Sequence, residues 1–163
     1  MPQIGMPDYN HPARAPMVFD VIDTSAWPLV HIAIQDAPTC DADIDTFQRK
    51  FLALLHLAAT GTEGIPPERI SIVMNLNGIV NATVEHQFRA ASFISAVREY
   101  VDTSIYCTGL VLESELVRMV LSFILSIQPL RSLNKVFERT EDALEWARMN
   151  RERQAAGLPP TYE

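Results

Sequence analysis

Cysteine and basic residues are scarce in this chain. Two cysteines occur among its 163 residues, Cys40 and Cys107, and neither belongs to a CxxC pair or to a Cys/His cluster with zinc spacing. We therefore expect two buried thiols in a reducing cytosol. The 13 basic residues are outnumbered by 20 acidic ones, which gives a net charge of −7. This balance argues against a general nucleic-acid binder, which needs a basic face to neutralise phosphates.

Long apolar runs and targeting segments are also missing. The longest uncharged apolar stretch covers residues 119–127, whereas a membrane-spanning helix needs about 20 apolar residues. The N-terminus has no basic segment followed by an apolar one, so we expect no signal peptide, no membrane span and a cytoplasmic location. Apolar residues still make up 48% of the chain, with a mean hydropathy of +0.06. A wholly disordered protein is therefore excluded.

Motifs that carry chemistry are missing as well. The sequence has no GxSxG, P-loop or GxGxxG motif, and no metal-ligand spacing joins its four histidines, His11, His31, His56 and His86. The acidic run at 41–46 differs from a calcium loop, because Thr46 stands where such a loop requires glycine. An acidic helix start, favoured by the helix dipole, explains the run better. We predict no catalytic residue, no cofactor and no metal, and a protein that is not an enzyme.

The chain length and the distribution of prolines predict one domain with two short extensions. A single core commonly serves about 100–200 residues. Prolines are dense in residues 1–16, which favours an extended arm, either loose or lying on the domain or on a neighbouring subunit. A single domain is predicted at 17–156, followed by a C-terminal tail at 157–163.

Hydrophobic periodicity predicts secondary-structure elements in the order β-β-α-β-α-β-α-β-α. Their predicted ranges are 17–23, 29–35, 41–60, 69–76, 84–101, 104–112, 115–128, 133–139 and 140–156, with Thr140 as the cap of the last helix. The first two strands are close enough for an antiparallel hairpin. Helices that alternate with the later strands are typical of parallel strands joined by right-handed crossovers. The predicted fold class is therefore α/β, with a mixed β-sheet flanked by about four helices.

Two segments carry a resemblance to a known family. They are ISIVMNLNGI at 70–79, and LNKVFERTEDALEWAR at 133–148, in which a short strand leads into a helix that opens with acids. The chain resembles the STAS superfamily of sulfate-transporter and anti-sigma-factor antagonist domains, and more closely its small stand-alone bacterial members. The resemblance covers roughly residues 17–150. It implies a STAS-like fold more than a particular function.

The resemblance also implies a candidate phosphosite. Anti-sigma antagonists carry a phosphorylatable serine or threonine where the loop after the central strand enters the second helix. In this chain that loop covers residues 77–83, and Thr83 is its only hydroxyl residue. The chain departs from the family pattern, because Asn75 stands where an aspartate is frequent and no Asp-Ser-Ser follows. Thr83 is therefore either a simple helix cap or the site of a phosphorylation switch.

The third predicted helix is apolar almost all the way round. Such a helix must be covered on every face. It is either buried inside the domain, or buried on one face with the remainder forming an interface, or used to bind a lipid or another apolar ligand. The candidate interface residues are Leu116, Met119, Val120, Phe123, Ile124 and Ile127.

These observations favour protein partners over a reaction. We predict a non-enzymatic interaction module, a scaffold or regulatory subunit that associates with itself and with another protein. One alternative is a carrier of a small apolar ligand or lipid, by analogy with the fold-related CRAL-TRIO domains. A second alternative, implied by the resemblance, is a regulator of the anti-sigma-antagonist kind switched at Thr83.

Overall fold

The computed structural model describes residues 20–34, 41–78, 83–127 and 130–163. Within its helices and strands, the side chains outside the description are those of Asp20, Gln87, Val117, Val120, Ile124 and Ile127. The predicted arm at 1–16 and Cys40 lie outside the described residues. The elements are β1 (Asp20–Ala26), β2 (Leu29–Ile34), α1 (Asp41–Thr60), β3 (Ile70–Asn75), α2 (Val84–Ser104), β4 (Ile105–Val111), α3 (Glu115–Ile127), β5 (Leu133–Phe137) and α4 (Thr140–Ala155).

The strands form a mixed sheet in the spatial order β1-β2-β3-β4-β5. β1 and β2 make the predicted antiparallel hairpin, and β2 to β5 run parallel to one another. Each parallel strand lies beside the one before it, so right-handed connections place α1, α2 and α3 on the same face of the sheet. The predicted α/β class, with a mixed sheet and four helices, is confirmed.

The three-helix face covers the larger part of the core. α1 buries side chains at three- and four-residue steps, which are those of Phe51, Leu54, Leu55 and Ala58. They belong to one buried cluster with Ile32 of β2, Ile72 of β3 and Val97 of α2. The first four residues of β3 are all buried, as expected for a central strand covered on both faces.

α4 covers the opposite face of the sheet. Its Trp146 is buried in a second cluster with Tyr106 and Cys107 of β4. Tyr106 and Cys107 are adjacent in sequence, yet their side chains lie on the same face of the sheet. The reason is a β-bulge, since Ile105 pairs with Ile70 and Cys107 pairs with Ser71, so that Tyr106 is the extra residue on β4. Gly109 lies beneath this helix, where a Cβ would be in van der Waals contact with the Cβ of Ala143 at 3.4 Å.

The first predicted strand ends too early. The prediction of 17–23 is wrong at its C-terminal end, because β1 continues to Ala26 before the turn at Trp27 and Pro28. The pairing with β2 becomes irregular between Asp23 and Ala26. There the Ser25 N–H donates to Oδ1 of Asp23 at 2.8 Å, which supplies a local partner where the ladder is interrupted.

The residues after α4 are held against it by the buried side chain of Asn150. Its Nδ2 donates to the carbonyl oxygens of Trp146 (3.1 Å) and Thr161 (3.2 Å), and its Oδ1 accepts the Thr161 N–H at 2.8 Å. The indole Nε1 of Trp146 donates to the same Thr161 carbonyl at 2.9 Å. The segment at 157–163 is therefore attached to the α4 side of the domain.

We expect Asn150→Leu to lower the free energy of unfolding by about 2 kcal/mol. Leucine has a similar volume but leaves the Thr161 N–H without its partner at a part-buried position. Urea denaturation followed by circular dichroism measures the change. The matched control is Arg148→Leu, an exposed position on the same helix, which should change stability by no more than about 0.5 kcal/mol. Equal losses in the two variants would contradict this role of Asn150.

The thiol of Cys107 is fully buried, as predicted, and its Sγ donates to Oγ of Ser71 at 3.4 Å. Burial raises the pKa of Cys107 to about 11. The folded state therefore favours the protonated thiol. The contribution of this thiol to stability is complete below its ordinary pKa of 9.0 and is lost as the pH rises towards about 11.

A variant with Cys40→Ser, which keeps Cys107 as its only cysteine, should not react with Ellman's reagent at neutral pH while folded. The thiolate is the reactive species, and both burial and the raised pKa suppress it. Reaction should begin when urea unfolds the chain, and the absorbance of the released thionitrobenzoate records it. Rapid reaction of the folded variant would show that this thiol is accessible.

Candidate interaction surface

α3 joins β4 to β5 and packs chiefly against α2. Its Leu121 is half-buried against the cluster of the three-helix face. Arg118 fixes the first turns, because its Nη2 donates to the carbonyl oxygen of Leu112 at 3.1 Å and lies 3.5 Å from Oε1 of Glu138. Neither α3, with 13 residues, nor any other described helix is long and apolar enough to cross a membrane.

The outward side of α3 carries an apolar stripe. Leu116, Met119 and Phe123 are 68%, 70% and 48% exposed. They are three and four residues apart, so they line one side of the helix. The sheet and the neighbouring helices that the structure describes therefore leave this side of α3 uncovered. The other candidate interface residues, Val120, Ile124 and Ile127, have side chains outside the description.

α2 adds a second apolar stripe beside the first. Ala91 is buried, whereas Phe88 and Val84, three and seven residues before it, are 55% and 65% exposed. Asp102, near the C-terminal end of α2, shows which side of this helix is turned towards α3. Its Oδ1 accepts the N–H of Arg131, which lies just beyond the end of α3. Helical geometry places Val84 and Phe88 towards this side. We call the five exposed side chains Val84, Phe88, Leu116, Met119 and Phe123 the α2–α3 face.

Sequence periodicity missed the exposure of Val84 and Phe88. Apolar residues at three- and four-residue steps along α2 connect them to Val97, which is buried. A separation of thirteen residues turns an α-helix until Val84 is about 140° away from Val97. The angle separates Val84 from Val97 but not from Ala91, which is buried and lies only about 20° away from Val84.

Ion pairs fasten the opposite side of α2 to α1. Arg89 donates from Nη1 to Oδ1 of Asp41 at 2.6 Å and from Nη2 to Asp45. His86 Nε2 lies 3.7 Å from the same oxygen of Asp41. The aspartates that were predicted to begin α1 thus also form ion pairs with α2. This contact directs the other side of α2, with Val84 and Phe88, away from α1.

Thr83 is the N-cap of α2. Its Oγ1 accepts the His86 N–H at 3.2 Å, and Nδ1 of His86 accepts the Thr83 N–H at 3.4 Å, which completes a capping box. The capping alternative proposed from the sequence is therefore confirmed. The phosphosite stays a prediction, and it lies next to Val84 at the start of the α2–α3 face.

Thr83→Val should lower the free energy of unfolding by about 1 kcal/mol, because valine keeps the shape but cannot accept the His86 N–H. Thr83→Ser retains the hydroxyl and should remain close to the unmodified chain. Thermal and urea unfolding of both variants measure the difference. If valine and serine gave the same stability, the hydroxyl would not be acting as a cap.

The carboxyl ends of β3 and β4 are joined by asparagine side chains. Asn75 Oδ1 accepts the Asn77 N–H at 3.0 Å, and Asn77 Oδ1 accepts the Glu113 N–H at 2.9 Å. Asn75 Nδ2 donates to Oγ1 of Thr140 at 3.2 Å. An ionised aspartate could not donate this bond. Asn75 thus accepts with Oδ1 and donates with Nδ2, and it joins the end of β3 to the start of α4.

The prediction that Thr140 caps α4 is wrong. The N-cap is Arg139, which makes no side-chain capping bond. Thr140 instead begins the helix and uses its hydroxyl as the acceptor for Asn75. Sequence reasoning could not find this contact, because the two residues are 65 positions apart.

An open hollow of about 520 Å³ lies at the other end of α2, and it is lined by Arg98, Glu99, Asp102, Thr103 and Arg131. Both carboxylate oxygens of Asp102 already have partners in this hollow. Oδ1 accepts the Arg131 N–H at 3.0 Å, and Oδ2 lies 3.9 Å from Nε of Arg98. The hollow is polar, with two basic and two acidic side chains. It does not resemble a pocket for an apolar ligand.

Within the described ranges, no group of three or more His, Cys, Asp or Glu side chains is arranged to hold a metal ion. Comparison of the chain with models of protein families, with curated proteins and with solved structures finds no match. The STAS resemblance therefore stays a prediction. The α2–α3 face is the feature of the described structure that points most directly to a function.

Proposed function

We propose that this protein is a non-enzymatic interaction module that self-associates through the α2–α3 face and serves as a scaffold or regulatory subunit. The observation that supports this function is the exposure of Leu116, Met119 and Phe123 on one side of α3. Aligned apolar side chains of this size on a surface mark a site that another molecule covers.

The energetics favour a covered surface. Full burial of a leucine, methionine or phenylalanine side chain contributes about 1.5–3 kcal/mol each. Two copies that bury the same stripe gain this contribution twice, against the cost of losing their independent motion. The segment at 116–127 also carries a single charge, Arg118. Repulsion between two acidic chains is therefore weak at this place.

Membership of the STAS superfamily and a cytoplasmic location are parts of the same proposal. The mixed α/β sheet is the fold class that the resemblance implies. The buried free thiol of Cys107 is compatible with a reducing compartment. Regulation by a second protein, or by phosphorylation of Thr83, would act through helices that already form the face.

Met119→Lys should dissociate the protein, because it places a charge in the middle of the apolar stripe. Size-exclusion chromatography with light scattering, at tens of micromolar protein, should give a mass above the 18.3 kDa of one chain for the unmodified protein. The variant should give the mass of one chain with an unchanged circular dichroism spectrum. Lysine makes the chain less acidic, so dissociation could not be ascribed to added repulsion.

The matched control is Leu52→Lys, a single exposed leucine on α1, which should leave the mass unchanged. An unmodified chain that stays monomeric at tens of micromolar would contradict the proposed function. Native mass spectrometry of such a monomer would then test the carrier alternative, which requires a lipid or another apolar ligand to be retained with the chain.

A further inference from the structure

We infer that the molecule covering the α2–α3 face is a second copy in antiparallel orientation, so that Glu115 of each copy lies opposite Arg131 of the other. This inference rests on the proposed function and specifies the geometry of the self-association. The two copies would be related by a two-fold axis that passes near the middle of α3.

One end of the face is acidic. Glu113 and Glu115 precede or begin α3, and Glu85 lies in the first turn of α2. All three side chains are exposed, and none has an ion-pair partner among the described residues. Arg118, the basic residue in the first turns of α3, is already beside Glu138. This end therefore presents three uncompensated carboxylates.

The other end of the face has balanced charges and one arginine side chain available for pairing. Arg131 follows α3 and is exposed, and within the described part of the chain its guanidinium has no ion-pair or hydrogen-bond partner. Arg98 lies 3.9 Å from Asp102, whose carboxylate also accepts the Arg131 N–H. Glu99 is the remaining acid in the hollow. The two arginines offset both acids here, so this end is far less negative than the other.

The length of α3 keeps the two ends electrostatically separate. Thirteen residues rise about 20 Å along the helix axis, which exceeds the screening length of about 8 Å at physiological salt. A parallel partner would place carboxylates against carboxylates. An antiparallel partner places Glu115 against Arg131 twice, once on each side of the axis, while the apolar stripes meet between them.

This polarity favours a second copy over an unrelated partner. The face is apolar in the middle and acidic at one end, and its other end is less acidic and carries a free arginine. Such a surface is complementary to itself after a two-fold rotation. Such an interface uses the same residues on both copies and closes on itself. The face is about 20 Å long and two helices wide, so it belongs with small, reversible interfaces rather than obligate ones.

Charge reversal at the two ends tests the inference. Sedimentation equilibrium of the full chain should show that Glu115→Arg and Arg131→Glu each weaken association about tenfold, since each change creates two like-charge contacts per dimer. The double variant restores opposite charges across the axis and should return the dissociation constant to within about threefold of the unmodified value. The Glu115→Arg result is diagnostic, because this variant is less acidic overall and would associate more tightly if only net charge mattered.

The control for net charge is Glu145→Arg on the exposed side of α4, which should not weaken association. Single variants that weaken association without rescue in the double variant would overturn the antiparallel pairing. Single variants without effect, in a protein that Met119→Lys does dissociate, would overturn the inference and leave the proposed function intact. A monomeric unmodified chain would overturn both.

Discussion

The order of the strands in the sheet constrains the rest of this structure. Because β2 to β5 follow one another in space as they do in sequence, the three crossover helices lie side by side on one face. A helix in the middle of such a row has neighbours on both sides. α3 is the last in the row and packs chiefly against α2. Its outward apolar side chains are therefore left exposed by the described helices.

Other contacts hold α2 against α1, and α4 against the opposite face of the sheet. Arg89 binds α2 to the start of α1, and Asn75 binds the end of β3 to the start of α4. Asn150 holds the C-terminal residues on the α4 side. These polar contacts leave the α2–α3 face free of charged cross-links. The apolar side chains of this face are therefore exposed on helices whose positions are fixed by contacts elsewhere in the domain.

Much of the fold follows from the sequence because it depends on local patterns. α1 begins and ends at the predicted residues, since acids mark its start and Gly61, with a positive φ of 67°, follows its end. The hairpin and the parallel strands follow from the order of elements. The contact between Asn75 and Thr140 could not be predicted, because it joins residues far apart in the chain. The same limit applies to the candidate site. The sequence singled out Leu116, Met119 and Phe123 but left burial and exposure as alternatives, since only the neighbours of α3 decide between them.

Concentration-dependent hydrogen–deuterium exchange shows whether a second copy covers the α2–α3 face. Raising the protein concentration through the dissociation constant should slow exchange in α3 and in the first turns of α2. Exchange in β1, β2 and α4 should not change, because these elements lie away from the face. Protection that is independent of concentration, or that rises equally in all elements, would show that a second copy does not cover this face.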